Sequence, residues 1–387
     1  MGLVDEYLSN FKVGKNEQMA ARMAFFISGF AVSTWAPMIP AVKEKLQIGA
    51  DVLGILLLSI GISAFIFMPI AGMLSRSYGC KKVLRVAITI MAFDLIVLSL
   101  LDSIWGFLIF LAVFGAAMGC IDVNMNLNAV IVENASKKRM MSGMHALWSV
   151  GCFAGAGLFS LLAKAGLGIT LIAAVHTAVV LICTLMYSRY FLNFKGAGNE
   201  KPIAIPKGIV MFFGALACIT FLGEGAVMDW SGVLLTEVKN TELSLAGVGY
   251  AVFSVAMLVM RLIGDKIVVL LGEEKTLILG SVIGVVGFLS VIFLENFYAI
   301  QFGFVLMGLG LANIVPTIYS LTKYQTVMPI NAAVTAITSM GYTGVILGPA
   351  VLGFVAHGFG ITQVFYLLAI LLAAQAAAVK YYFAKIS

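Results

Sequence analysis

Three carboxylates interrupt long apolar runs of the sequence, and they are the residues best able to do chemistry. Asp122, Glu224 and Asp229 each lie in a stretch apolar enough for the interior of a membrane. An ionised carboxylate in hydrocarbon is costly unless it is paired or hydrated, so such residues are usually functional. A buried carboxyl group that gains and loses a proton is what a proton-coupled carrier requires. Asp122 and Glu224 are therefore predicted to be proton-coupling residues.

Asp122 belongs to a stripe on one helix face. At about 100° per residue, Asp122 and Asn126 share this face with Gly115 and Gly119 before them and with Glu133 after them. The two glycines indicate close packing against a neighbouring helix, and the polar residues indicate a cavity wall. Asn126 is accordingly predicted to bind substrate. The alternative interpretation of Asp122 is a hydrogen-bonded structural aspartate.

Glu224 and Asp229 do not both face one cavity on a regular helix. Their separation of five residues places them about 140° apart, and Gly223 and Gly225 would allow a break between them. Glu224 is predicted near mid-depth in the membrane. Asp229 lies nearer the end of the helix and is predicted to bind substrate. The alternative for Asp229 is a hydrogen bond that fixes this end of the helix.

A second group of charged residues is placed where it could control access to a cavity. Glu133 and His145 fall at similar depths on consecutive helices, and they are predicted either as a gating pair or as a structural hydrogen bond. Arg261 and Asp265 are four residues apart, the spacing of an ion pair on a helix surface. A gate or structural role is favoured for these two over a role as substrate counter-ion.

Aromatic and amide side chains supply the remaining candidate ligands. An aromatic ring with a polar group suits a sugar ring or a lipophilic cation, although a single Trp is equally well explained as an anchor at the membrane interface. Asn313 offers hydrogen bonds, and Pro316 is expected to bend the same helix. The aromatic residues predicted to bind substrate are Trp35, Trp148, Trp230 and Tyr342.

The composition requires a membrane environment for these residues. Of the 387 residues 61% are hydrophobic and 11% are charged, whereas an average soluble domain carries about 25% charge. This composition excludes a soluble globular protein, a disordered chain and a disulfide scaffold. The net charge of +6 is dispersed between apolar runs, so no nucleic-acid-binding face is expected. No metal-ligand cluster, nucleotide loop or catalytic motif is evident, and the chain is predicted to be neither an enzyme nor dependent on a cofactor.

The chain is predicted to be an all-α integral membrane protein with twelve transmembrane helices, each about 20 residues or longer. A polar stretch at 191–207 separates two six-helix bundles, 1–190 and 208–387. Predicted inside segments hold 20 Lys and Arg residues against 4 outside, which places both termini in the cytoplasm. The predicted spans are approximately 20–40, 51–74, 83–101, 105–132, 142–163, 167–190, 208–235, 245–268, 276–294, 298–321, 330–354 and 360–383.

Short motifs recur about half a chain apart and indicate an internal repeat. Ala-Val-x-x-Trp ending at Trp35 recurs at Trp230, 195 residues later, and the glycine pair beginning at Gly151 recurs 193 residues later at Gly344. Gly115 is likewise followed by Gly308. Two parallel six-span repeats are the architecture of secondary transporters whose substrate site lies between the halves.

The whole chain resembles the major facilitator superfamily of transporters. The superfamily's signature loop between spans 2 and 3 has the form G-x-L-x-D-R-x-G-R-[KR], and here it runs from Gly72 through Gly79 to Lys81 and Lys82. Arg76 stands where the family has its aspartate. The resemblance implies a gate at this loop that includes Arg76, and this gate needs an acidic partner from elsewhere in the chain.

Span 4 resembles the fucose–proton symporter branch of that superfamily. Gly119-Cys-Ile-Asp122 followed by Asn126 matches the branch's pattern, so the resemblance implies a proton-coupling role for Asp122. The branch's other acid, in span 1, falls at Ala36 and is absent. A group of bacterial permeases of unassigned substrate is more similar still. It shares Asp122 through Glu133, Met144-His145 with the following Ser149 and Gly151, and Glu224 with Asp229-Trp230.

These observations favour transport by alternating access. The predicted interior is acidic apart from Arg261, so a small neutral or cationic solute is expected, sugar-like by resemblance and moved with protons. Proton-linked export of a lipophilic or cationic compound is the alternative, and a solute sensor on the same scaffold is a more distant one. A monomer in the inner (plasma) membrane of a bacterium is expected.

Overall fold

The computed structural model describes residues 13–48, 50–195, 205–242, 245 and 247–386, and every regular element in these ranges is helical. Helices are the natural outcome of such apolar runs, because a helix pairs its backbone polar groups internally where no water is present. The helices of the first half are α1 (Lys15–Trp35), α2 (Ile39–Leu46), α3 (Ala50–Tyr78), α4 (Cys80–Leu100), α5 (Ile104–Ser136), α6 (Met141–Lys164) and α7 (Ile169–Tyr187).

In its described part, the second half contains seven further α-helices, a 3₁₀ helix at Thr322–Tyr324 and one π-helical turn. The turn, Leu234–Val238, directly extends the helix before it. The helices are α8 (Ile209–Val233), α9 (Val248–Leu271), α10 (Glu273–Phe293), α11 (Phe297–Leu311), α12 (Ile314–Leu321), α13 (Ile330–Phe359) and α14 (Ile361–Ile386).

Ten spans among the described residues are long and apolar enough to cross a membrane. One of them combines α11 and α12, which sequence periodicity predicts as a single span at 298–321. α1 and α9 lie outside this set of ten, although they contain 21 and 24 residues. Arg261, Asp265 and Lys266 interrupt the apolar character of α9.

Contacts divide the chain into two units that exchange short segments. Among the described residues, unit 1 contains those up to 138, 147–206 and 326–336, and unit 2 contains 139–146, 207–325 and the remainder from 337. The first turn of α6 therefore belongs to unit 2, and the first turn of α13 belongs to unit 1. In unit 1, a Cβ atom at Gly72 of α3 would come within 2.5 Å of the Thr335 hydroxyl of α13. The exact limits of the two predicted bundles remain a prediction.

Each unit contains the same close helix contacts, made by the repeated glycines. A Cβ at Gly115 would lie 2.2 Å from the Ile60 carbonyl oxygen, and one at Gly308 would lie 2.4 Å from the Phe253 carbonyl oxygen. Both members of the second contact are 193 residues after those of the first. Small residues allow membrane helices to approach this closely. The sequence repeat therefore corresponds to a repeat of packing.

The helix α6 offers a direct test of this packing. A Cβ at Gly151 would lie 2.2 Å from the Phe26 carbonyl oxygen of α1, whereas a Cβ at Gly157 would meet nothing within 4 Å. We expect Gly151→Ala to lower the unfolding temperature by about 2 °C or more, because overpacking costs about 1–3 kcal/mol. Gly157→Ala is the matched control, and it should leave this temperature unchanged or raise it slightly. Equal effects in the detergent-purified protein would contradict the packing argument.

The polar stretch after α7 begins inside unit 1. Phe191, Leu192 and Phe194 are buried, and the Leu192 carbonyl accepts hydrogen bonds from the Cys80 thiol at 3.1 Å and the Asn128 amide at 3.2 Å. This docking anchors the start of the predicted linker 191–207. Residues 196–204 of that linker lie outside the described residues.

Candidate functional site

An ion pair between a buried arginine and a partly buried glutamate joins two helices of unit 2. The Arg261 Nη2 of α9 lies 3.3 and 3.4 Å from the two carboxylate oxygens of Glu224 on α8. Arg261 is only 4% exposed. The four-residue spacing of Arg261 and Asp265 suggested a pair along one helix face, whereas here Arg261 binds a carboxylate from a different helix. The Glu224 charge is therefore compensated within unit 2.

The other edge of the Arg261 guanidinium binds a backbone carbonyl at a break between two helices. Its Nε donates a hydrogen bond of 3.2 Å to the Ala312 carbonyl, between the end of α11 and the start of α12. Pro316 has no amide hydrogen, so it leaves the carbonyl four residues earlier, that of Ala312, without its helical donor. The irregularity expected from Pro316 is thus a break at residues 312–313, and Arg261 supplies the missing donor.

Asp265 binds the N-terminus of α6, whose first turn belongs to unit 2. Its two carboxylate oxygens accept hydrogen bonds from the backbone amides of Ser142 at 2.9 Å and Gly143 at 3.0 Å. The first amides of a helix lack partners within the helix and carry partial positive charge, so a carboxylate stabilises them. Asp265 therefore acts as a helix cap supplied by another helix.

Further polar contacts surround this cap. Arg139, just before α6, forms a salt bridge with Glu273 at the start of α10, and the Tyr324 hydroxyl lies 3.4 Å from Glu273. The His145 ring stacks on Tyr319 with 6.0 Å between ring centroids, and the Tyr319 hydroxyl lies 2.8 Å from Thr338 Oγ1. Two of the predicted gate residues thus lie at the start of α6. Asp265 binds its first backbone amides, and His145 belongs to this segment and packs on Tyr319.

Loss of the Asp265 cap should loosen the first turn of α6. We expect Asp265→Ala to cost about 1–2 kcal/mol, as for other lost caps, and to increase hydrogen exchange at the Ser142 and Gly143 amides. Lys266→Ala is the control, since Lys266 is the adjacent exposed residue of the same helix. Hydrogen-exchange mass spectrometry of peptides covering 139–146 measures this effect. Unchanged exchange in Asp265→Ala would contradict the capping role.

Asp229 lies in surroundings different from those of Glu224. Helix α8 is continuous through Gly223 and Gly225, so the two carboxylates diverge as regular helical geometry requires. Asp229 is exposed and borders a surface pocket of about 410 Å³ that Glu237 and Tyr250 also line.

The other predicted substrate-binding residues of unit 2 occupy separate places. Trp230 is half-buried, and within the described part of the chain its indole N–H has no hydrogen-bond partner. Tyr342 packs edge-to-face on Phe221 with 6.2 Å between ring centroids. Asn313 is buried against Gly264, and neither atom of its side-chain amide has a partner among the described residues. An unsatisfied buried amide is costly, so Asn313 remains a good candidate for binding a polar solute.

In unit 1 the predicted stripe of α5 is buried. Asp122 is 7% exposed, and the Asn126 amide donates to the Asp122 backbone carbonyl at 2.9 Å. Between these two residues in the sequence lies Asn124, whose side chain accepts a hydrogen bond from Ser75 of α3. The Asn124 amide in turn donates to the Cys120 carbonyl. Gly119 packs against Ala64 of α3. The stripe therefore combines close helix packing with a run of buried polar groups.

The remaining predicted residues of unit 1 are dispersed along its helices. Trp35 is buried, 6.4 Å from Phe107 between ring centroids, whereas Trp148 is half-buried. Glu133 is buried, and Arg76 is half-buried near the end of α3. No group of three His, Cys, Asp or Glu side chains within the described ranges is placed to hold a metal ion.

Comparison with known proteins identifies the family. A model of the Major Facilitator Superfamily matches residues 23–324. The chain belongs to the major facilitator superfamily. An uncharacterized MFS-type transporter of Yersinia pestis is 42% identical to this transporter over 369 residues, which are 95% of this chain and 96% of the relative. The membrane protein MosC of Rhizobium meliloti is 26% identical over 343 residues, 88% of this chain and 84% of the relative.

Solved structures share the fold of this transporter. The E. coli fucose:proton symporter FucP has a TM-score of 0.76 at 15% identity, over 94% of this chain and 98% of the symporter. The human organic anion transporter MFSD10 has a TM-score of 0.77 at 14% identity, over 94% and 99%. The family is one of multi-pass membrane transporters rather than enzymes, and the bacterial relatives imply the inner membrane.

Sequence reasoning missed several functional groups because they belong to the backbone. The Ser142 and Gly143 amides and the Ala312 carbonyl carry no side-chain signature. One signal was nevertheless available, since a proline inside a helix releases the carbonyl four residues before it. Pro316 therefore pointed to Ala312, although nothing in the sequence identified Arg261 as the donor.

Proposed function

We propose that this protein is a secondary transporter that moves a small neutral, polar solute by alternating access, coupled to protons through Asp122 and Glu224. The observation that carries the proposal is the buried polar stripe of α5, which places the carboxylate of Asp122 inside a long apolar helix of a transporter fold. A carboxyl group buried inside an apolar membrane helix is a functional-site hypothesis by default, and the role that we propose for this one is to carry a proton.

The ion pair of unit 2 supports a neutral solute over a cation. Arg261 compensates the charge of Glu224, so this carboxylate offers a cation less attraction than the sequence suggested. In unit 2, the Asn313 amide, which has no partner among the described residues, and the aromatic ring of Trp230 each suit a hydroxylated solute. Two structural neighbours, described as a fucose:proton symporter and a proton:xylose symporter, are consistent with a sugar-like cargo.

The proposal includes twelve spans and two cytoplasmic termini. Adding α1 and α9, helices of 21 and 24 residues, to the ten spans gives twelve. The distribution of basic residues supports the orientation. We propose that the transporter works as a monomer.

Export of a lipophilic cation is the second candidate. The pocket beside Asp229 favours it, because Glu237 and Tyr250 add a second carboxylate and an aromatic ring to the same surface. Carboxylates and aromatic faces both attract organic cations.

A ligand screen followed by a flux measurement tests the proposal. Thermal unfolding of the purified protein against neutral sugars, organic cations, amphiphiles and small anions would identify the class that stabilises it. The stabilising compound is then offered to proteoliposomes with and without a pH gradient. Accumulation of a neutral compound driven by the gradient is expected. Stabilisation by organic cations alone would favour the export candidate, and stabilisation by anions alone would contradict both.

A further inference from the structure

The break between α11 and α12 leaves one backbone carbonyl that the helix itself cannot satisfy. In a regular helix Pro316 would donate to Ala312, but proline has no amide hydrogen. The next carbonyl along the chain, that of Asn313, accepts from the Thr317 amide at 3.1 Å and the Thr317 hydroxyl at 2.6 Å. The acceptor that Pro316 itself leaves without a helical donor is therefore the Ala312 carbonyl.

The Arg261 guanidinium binds the Ala312 carbonyl with one edge and the Glu224 carboxylate with the other. The Nε–Ala312 distance is 3.2 Å, and the distances from Nη2 to Glu224 are 3.3 and 3.4 Å. Arginine can do this because its five N–H donors lie in one rigid plane. The two contacts fix both the position and the plane of a group that is almost fully buried.

We infer that Pro316 is a positioning residue for the Glu224–Arg261 pair: by withholding an amide from Ala312, it creates the acceptor that holds the Arg261 guanidinium beside Glu224. The guanidinium keeps this anchor when Glu224 loses its charge. A proton that neutralises Glu224 then breaks the ion pair while the cation stays in place, instead of releasing a mobile cation. This consequence rests on the proposed coupling role of Glu224, whereas the positioning itself does not.

The surroundings of the pair define what else responds to its charge. Arg261 on α9 is the charged group that pairs with Glu224. The Arg261 charge also interacts electrostatically with His145, which lies at the start of α6. Asp265, one turn further along α9, holds the amides of that same turn. Gly264 packs against both Ser142 and Asn313, so the helix break and the cap meet at one point of α9.

A double-mutant cycle in the full-length protein tests the positioning role. Arg261→Lys keeps the positive charge but replaces the planar guanidinium by a single nitrogen, so it cannot reproduce the two-edged contact with Glu224 and Ala312. Pro316→Ala restores an amide donor to Ala312. We expect Arg261→Lys to lower the unfolding temperature, and Pro316→Ala to recover about 2–4 °C more in that background than in the wild type. Pro316→Leu supplies the same amide and should behave alike. Additive effects of the two substitutions would overturn the inference.

A pH comparison separates positioning from a merely structural role of the proline. We expect Pro316→Ala to change the difference in unfolding temperature between about pH 5.5 and about pH 8.5 by about 2 °C or more, because the titrating Glu224 no longer faces a fixed cation. The change should disappear when Glu224→Gln is added, and it should persist when the control Glu237→Gln is added instead. Glu237 is an exposed carboxylate on the π-helical extension of α8. An equal shift at both pH values would overturn the inference.

The same variants distinguish this inference from the proposed function. If the cycle is non-additive and Glu224→Gln still accumulates solute against its gradient, Pro316 positions Arg261 but Glu224 does not couple protons. If Glu224→Gln abolishes accumulation and the cycle is additive, the coupling role stands and the positioning role fails.

Discussion

Replacing Arg261 by methionine is expected to cost about 3–5 kcal/mol of stability and to abolish transport. Removing one partner of a buried ion pair leaves the other charge uncompensated in a medium of low dielectric constant. Here the substitution would strand the Glu224 carboxylate and, in addition, remove the donor of the Ala312 carbonyl. The unfolding temperature of the detergent-purified protein measures the stability term, and solute flux in proteoliposomes measures the functional one.

A charge-balanced variant controls for this effect. Adding Glu224→Gln to Arg261→Met removes both charges, so most of the lost stability should return. The attraction within a buried ion pair does little more than offset the cost of removing both charges from water, so losing the whole pair costs little. Accumulation driven by a pH gradient should remain absent, since one of the proposed proton carriers is missing. If the double variant is no more stable than Arg261→Met alone, the ion pair is not the source of the instability.

Replacing Asp122 by asparagine is expected to abolish accumulation driven by a pH gradient while leaving exchange of solute intact. Asparagine preserves the volume of the side chain but carries no titratable proton. A gradient of about one pH unit is worth about 1.4 kcal/mol per proton, or about a tenfold accumulation, and this factor should fall to one. The compound that stabilises the protein in the ligand screen serves as the solute in this measurement.

Asp94 provides a matched control for that substitution. It is an aspartate on α4, 4% exposed, and neither of its carboxylate oxygens has a hydrogen-bond partner among the described residues. Asp94→Asn makes the same chemical change inside the same unit at a position with no assigned role in coupling. Accumulation should survive in Asp94→Asn. Loss of accumulation in both variants would show that the unit tolerates no such change, and retention in both would eliminate Asp122 as the coupling site.

Much of the fold follows from sequence patterns that depend on local physics. Apolar runs of membrane-crossing length predicted the helices, and recurring glycines predicted contacts that both units contain, as at Gly115 and Gly308. The family followed from the signature loop and the motif around Asp122. These features succeed because each depends on a short stretch of chain, and the bilayer permits few alternatives to a helix.

The site was less predictable because its partners are distant in sequence and partly backbone. Arg261 was assigned to Asp265 on the grounds of helical spacing, but Glu224 on α8 and the Ala312 carbonyl are its observed partners. Spacing along one helix cannot identify a contact between helices. Likewise, nothing in the sequence indicated that Asp265 caps α6, because the groups that it binds are backbone amides of another helix. The substrate-binding and coupling assignments stay predictions.

The exchanged segments of the two units constrain the order in which the protein can be built. Unit 1 contains residues 326–336, and its Gly72 packs against Thr335. A ribosome releases the chain from the N-terminus, and domains usually fold as they emerge. The first bundle must therefore wait in the bilayer with one face of α3 unfinished until most of the second bundle has been synthesised. Completion of unit 1 is consequently a late event in biogenesis, and a nascent chain truncated before Thr335 would leave this face of α3 without its partner.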